Sequence, residues 1–230
     1  MNQSLPKQLA AEFAGTALLL AAVVGSGIMG ERLAAGNVAI ALLANAIATG
    51  AVLYALIAAL GSVSGAHFNP LVTLCAVLLG RMRLAPAGAY IATQMLAALA
   101  GVIIAHWMFE LPGLLPSHHA RSGAAQLLSE VVAAFGLLLV ILNCARHKPE
   151  LVPAAVGAYI TAAYWFTAST SFANPAVTIA RSMTDTFSGI RPSDVPAFII
   201  AQLVGALLAV LFHRWIVRGE KGAEQAAGKR

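Results

Sequence analysis

Six stretches of the 230-residue chain, near residues 8–29, 37–60, 86–109, 126–145, 151–168 and 195–217, are apolar for long enough to cross a bilayer core about 30 Å thick. Backbone N–H and C=O groups in lipid are satisfied only within helices or closed barrels, and unbroken runs of this length read as helices. Two further apolar runs, near 69–80 and 174–183, are too short to cross at about 1.5 Å of rise per residue. They read as half-spans. Composition agrees, with 60% hydrophobic and only 10% charged residues against roughly 25% charged in an ordinary soluble domain. Cys75 and Cys144 offer neither a disulfide framework nor metal-ligand spacing. The first run, starting near Leu9, lacks a strongly basic lead and a clear cleavage site, so it reads as a retained helix. The net charge of +5 comes without an interleaved aromatic and basic stripe, which points away from nucleic acid and toward membrane topology.

An even number of crossings puts both termini on one side. That side carries Lys7, Arg81, Arg83, Arg146, Lys148, Arg214, Arg218, Lys221, Lys229 and Arg230, and the other carries Arg32, Arg121, Arg181 and Arg191. The positive-inside rule then predicts cytoplasmic termini. The chain also repeats itself. AEFAGTALLL around Glu12 answers SEVVAAFGLLL around Glu130, FNPLVTL at Asn69 answers ANPAVTIA at Asn174, and TQMLAALAGV at Gln94 answers AQLVGALLAV at Gln202. Three crossings per half invert the second half relative to the first, and a site between inverted repeats lies near the membrane midplane.

Asn69-Pro70 and Asn174-Pro175 each place Asn where a helix N-cap needs a side-chain acceptor, then Pro where a missing N–H costs nothing. The side-chain oxygen caps the helix and leaves the amide NH2 as a donor. The two half-helices point positive dipole ends at the midplane, which favours the oxygen end of a neutral solute and opposes cations. The segments before them, Ser64 to His67 and Thr170 to Ala173, offer backbone carbonyls to a pore, since irregular backbone is tolerated at depth where it lines water.

SGAHFNPLVTL and SFANPAVTIA, one per half, on six spans and two half-spans, resemble the paired Asn-Pro-Ala boxes of the aquaporin and aquaglyceroporin (major intrinsic protein) family. The resemblance covers nearly the whole chain. It implies an all-α membrane protein: a right-handed bundle of six transmembrane helices plus two half-helices, one channel domain over 1–230, with repeats near 1–118 and 119–230. It further implies a pore in each subunit, a homotetramer, passage of small uncharged solutes and water, no enzymatic activity and no cofactor. Leu71 departs from the first box, where the second keeps Ala176.

In water-selective members a constriction is formed at four positions counted from the two Asn residues, which here fall on Thr49, Ala162, Ser171 and Val177. The family's aromatic and Arg are absent from these four, which predicts a wide, partly polar aperture without a cationic guard. That suits glycerol and other polyols, urea, or neutral metalloid hydroxides such as arsenite, and is similar to bacterial members linked with arsenic resistance that lack the filter Arg. A bacterial inner membrane is the implied location.

Glu12 and Glu130, at matched places in the repeat, are expected to hold the half-helix loops by hydrogen bonds rather than carry protons, with Gln94 and Gln202 as similar struts. His67 is expected to line the pore. His118 and His119 read as a solvated loop rather than metal ligands, and Tyr54, Phe68 and Phe172 as packing residues. Arg181 is about 40° round the helix from Val177 and roughly 6 Å farther out. It offers a guard in the vestibule, or, as the preferred reading, either a cap complementing the negative C-terminal end of its half-helix or a partner for Asp185. The competing classes are an alternating-access transporter, a mainly water-conducting aquaporin, and an intramembrane hydrolase around Ser62, Ser64 and His67.

Overall fold

The computed structural model describes residues 3–227, with side chains to Val217. Lys229 and Arg230, counted toward the cytoplasmic side, lie outside the described residues, as do the side chains of Arg218 and Lys221. Among the described residues the chain forms eight α-helices: α1 (Leu5–Leu33), α2 (Val38–Ser64), α3 (Pro70–Leu78), α4 (Leu84–Met108), α5 (Ala124–His147), α6 (Val152–Phe166), α7 (Pro175–Arg181) and α8 (Val195–Ala227). Local chemistry sets the boundaries. Asn37 caps α2 by accepting from the N–H groups of Ala39 and Ile40, and Gly65 ends it in the left-handed region at φ 86°. Pro occupies the first turn of α1, α3, α6 and α7.

Among the described residues five helices are long and apolar enough to cross a membrane. The sixth expected crossing, near 151–168, is α6, whose 15 residues span about 22 Å. A 3-10 turn at Pro149–Leu151 precedes it and adds about 6 Å. The two short runs form α3 and α7, of 9 and 7 residues, as half-spans.

The inverted repeat is visible in the packing. Helix α1 lies along α4 as α5 lies along α8, while α2 meets α6 and α3 meets α7 across the seam between halves. At the α2–α6 crossing, a Cβ on Gly50 would stand 2.7 Å from the Gly157 carbonyl, and one on Gly157 would stand 2.6 Å from the Gly50 carbonyl. Only two glycines let these backbones approach so closely.

Polarity is distributed inside out. Glu12, Gln94, Glu130 and Gln202 are fully buried, while Leu43, Ile47, Trp107, Ile200, Leu207 and Trp215 are exposed. A continuous apolar exterior around a polar interior matches lipid as the solvent.

Candidate functional site

The site is built from two loops of the same conformation. Between α2 and α3, Gly65, Ala66 and Phe68 have φ of 86°, 47° and 47°; between α6 and α7, Thr170, Ser171 and Ala173 have φ of 61°, 52° and 46°. Five of these six are not glycine, so each loop stores backbone strain of about 1–3 kcal/mol per residue that its surroundings offset. The buried glutamates do this. Glu12 Oε1 accepts from Ser64 Oγ (2.7 Å) and the His67 N–H (2.9 Å), and its Oε2 from the Phe68 N–H (2.7 Å) and Gln94 Nε2 (2.9 Å). Glu130 Oε1 accepts from Ser169 Oγ (2.6 Å) and the Phe172 N–H (2.9 Å), and its Oε2 from the Ala173 N–H (2.9 Å) and Gln202 Nε2 (2.6 Å). The two clamps correspond bond for bond.

Asn69 and Asn174 cap α3 and α7 as their sequence suggests, accepting from the N–H groups of Leu71 (2.9 Å) and of Ala176 and Val177 (3.0 and 3.3 Å). Their amides meet at the seam in a reciprocal tie: Asn69 Nδ2 donates to the Ala173 carbonyl and Asn174 Nδ2 to the Phe68 carbonyl, both at 2.8 Å. One amide proton of each pair thus locks the half-helix tips together, and one remains. Pro70, Leu71, Pro175 and Ala176 are buried behind these tips, with Leu71 fully enclosed and clear of the lining.

A narrow void of about 90 Å³ runs past both asparagines. Its apolar wall includes Leu19, Val23, Leu53 and Phe172, and its polar wall Thr49, Tyr164, Ser171 and Arg181. A second, wider void of about 680 Å³ reaches Arg81 and Glu150. The two share Ile57, Gly65, His67, Val72, Ile141 and Val152, so His67 stands at their junction. Its Nδ1 and Thr73 Oγ1 share a hydrogen bond of 3.0 Å, and its ring tilts against Tyr90 at 5.4 Å between centroids.

Of the four constriction positions, Thr49, Ser171 and Val177 line the void. Ala162 does not, and is exposed on the outside of α6. The lining stripe on α6 is Val152, Val156, Ile160 and Tyr164, spaced by four, and Ala162 lies about 200° round the helix from Tyr164. The hydroxyls of Tyr164 and Thr49 share a hydrogen bond of 3.1 Å. An aromatic is therefore present where the sequence count gave none. That i, i+4 stripe was the available signal, and a fixed offset from Asn174 missed it.

Arg181 is 1% exposed and lines the same void. It does not pair with Asp185. Its guanidinium lies over the Phe172 ring, 3.5 Å from the centroid, and its Nε donates to the Ser188 carbonyl. Asp185 instead accepts from the backbone N–H of His118 (2.9 Å) and lies 3.0 Å from His118 Nδ1. The expected aperture without a guanidinium is thus corrected: one reaches the void from a turn beyond Val177.

The His118 bonds, its backbone N–H foremost, hold the Asp185 carboxyl below the usual carboxylate range. A depressed carboxylate contributes stability above its unfolded pKa, and loses it as pH falls through the lower folded value. Hydrogen exchange at the His118 amide should accordingly show protection, after correction for intrinsic rate, that is intact at neutral pH and declines below the ordinary Asp pKa of about 3.9. Protection that stayed constant to lower pH would remove this tie.

The chain matches the major intrinsic protein family over residues 1–173 and 147–229. It is 56% identical over 214 residues to the aquaglyceroporin AqpS of Rhizobium meliloti (strain 1021), covering 93% of this chain and 91% of that one. It is 32% identical over 217 residues to aquaporin NIP1-4 of Oryza sativa subsp. japonica, covering 90% and 75%. Its fold superposes on the X-ray structure of the aquaglyceroporin from Plasmodium falciparum with a TM-score of 0.71, at 19% identity, covering 92% and 95%. With the paired Asn-Pro half-helices, the shared fold and a match across nearly its whole length, the chain belongs to the major intrinsic protein family of membrane channels and is not an enzyme.

Proposed function

We propose that this channel passes glycerol-type polyols and neutral metalloid hydroxides such as arsenite, together with water, down their gradients. The observation that carries this is the void past Asn69 and Asn174, whose walls are mostly apolar with a polar strip at Thr49, Tyr164, Ser171 and Arg181. A polyol presents a C–H face and a hydroxyl edge, and such a wall receives both. The remaining amide protons of Asn69 and Asn174 meet solute oxygens at the midplane, where the half-helix dipoles oppose cations. Thr49, Tyr164, Ser171 and Val177 select by size, with the Arg181 charge excluding cations from the outer end, and His67 lines the inner passage. Glu12 and Glu130 are struts, since both oxygens of each are already occupied by donors. The aquaglyceroporin name of the rhizobial relative supports the polyol reading.

The excess of Lys and Arg on one set of loops supports cytoplasmic termini, and the rhizobial relative a bacterial inner membrane. We place the chain in a lipid-embedded homotetramer with one pore per subunit, over the single domain 1–230 and its two repeats. Neither cofactor, metal nor nucleic acid takes part.

Stopped-flow light scattering on proteoliposomes tests the reading. Glycerol and arsenite should enter at rates linear in their gradients and independent of any ion gradient. Saturable, ion-driven uptake would establish an alternating-access transporter. Water flux without glycerol flux would establish a water channel.

A further inference from the structure

The outer end of the void contains a positive charge with no acid to match it. Among the described residues no carboxylate pairs with Arg181: Asp185 is held by His118, Asp194 accepts from Arg191 and from the Arg121 backbone N–H, and Glu130 is filled by its four donors. The guanidinium is nonetheless almost fully buried. One face is covered by Phe172 and its Nε is used by the Ser188 carbonyl, which leaves the fork of two Nη groups as the donors of this void-lining residue that no hydrogen bond engages. Arg121, whose guanidinium carbon lies 5.2 Å from the centroid of the same Phe172 ring, adds a second positive charge behind that wall.

The neutral groups beside the fork are also short of acceptors. Ser171 Oγ is buried, has no hydrogen-bond partner and belongs to a residue lining the void. Thr49 and Tyr164 share one hydrogen bond between two hydroxyls, which leaves one hydroxyl proton unplaced. A guanidinium fork, a free serine hydroxyl and a spare hydroxyl proton converge in one pocket without a carboxylate. A buried charge needs a partner, and here it must come from the contents of the pore.

We propose that the outer end of the pore holds a small planar monoanion of the carboxylate type on the Arg181 fork and Ser171 Oγ, and that such anions compete with neutral solutes for passage. The fork matches the two oxygens of a carboxylate, and a single negative charge balances the single cation of the lining. The apolar side of the pocket, from Val23, Leu53 and Val177, faces the hydrogen or short alkyl end of the anion. The competition rests on the channel reading above, whereas the binding does not.

Formate is the probe. In detergent micelles, saturation transferred from the purified channel to the formate proton should report binding on the order of millimolar affinity. The signal should be lost in Arg181→Gln and weakened about threefold in Ser171→Ala, which keeps the charge and removes one donor. In proteoliposomes with formate equal on both sides, about 10 mM formate should slow glycerol entry about twofold relative to equimolar gluconate. In Arg181→Gln, measured against its own formate-free rate, the slowing should vanish. Transfer or slowing undiminished in Arg181→Gln overturns the site, as does the absence of formate binding to the unaltered protein. Should Arg181→Gln fail to fold, unchanged formate affinity in Ser171→Ala overturns it equally. Formate bound through Arg181 in a protein that passes no glycerol would sustain the anion site and remove the polyol reading.

Discussion

Glu130→Ala should abolish the folded channel. The substitution strips the acceptor from Ser169 Oγ, the Phe172 and Ala173 N–H groups and Gln202 Nε2, all of them buried. An unsatisfied buried donor costs about 1–3 kcal/mol, and even with incomplete additivity four of them approach the 5–15 kcal/mol by which a domain is stable. The same bonds hold Thr170, Ser171 and Ala173 at positive φ, so the loop would also relax toward ordinary backbone and carry Asn174 away from its bond to the Phe68 carbonyl. Glu130→Gln is the finer probe. Whichever way its amide turns, an NH2 group must face two donors, so it too should lose several kcal/mol. Thermal unfolding and size-exclusion profiles in detergent read both variants. A Glu130→Gln protein that unfolds at the wild-type temperature and passes glycerol normally, but has lost a proton-coupled uptake, would make Glu130 a proton carrier.

The clamp was readable from sequence because the whole of it recurs: Glu12, Ser64 and Gln94 have their counterparts in Glu130, Ser169 and Gln202, in the same chain order. The half-helices were readable because Asn-Pro is local capping chemistry. What escaped depended on contacts between distant residues. The reciprocal tie joins Asn69 to Ala173 and Asn174 to Phe68, so no local rule reveals that half of each amide is already engaged. Asp185 sits four residues after Arg181 and looks like its partner, but His118, far back in the chain, takes the carboxylate. The helical angle between Val177 and Arg181 did hold, since both line the void. Ala162 failed for a different reason: an offset counted across the loop before Asn174 fixes no rotation of α6, and Tyr164 turns inward instead.

Filling the space at Val177 should convert the pore toward water. Val177 is buried and lines the same void as Ser171, Arg181 and the hydrogen-bonded Thr49 and Tyr164, and its two methyls occupy less of that void than a longer side chain would. In Val177→Arg, a long chain and a permanent charge enter one turn below Arg181, on the same face of α7. Like charges four residues apart repel, by tenths of a kcal/mol at a surface and more where desolvated, which drives the new guanidinium toward the lumen rather than back along the helix. Glycerol entry should then fall by about tenfold or more, a barrier increase of about 1.4 kcal/mol, while water entry falls much less because a single-file water needs a narrower aperture. Val177→Leu adds volume without charge and separates the two causes. It should slow glycerol by an intermediate amount, with the order of rates running wild type, Leu, Arg. Equal loss of water and glycerol in both variants would indicate misfolding. Unchanged glycerol entry in a folded Val177→Arg protein would move the constriction away from Thr49, Tyr164, Ser171 and Val177, and leave size selection to the asparagine seam at the midplane.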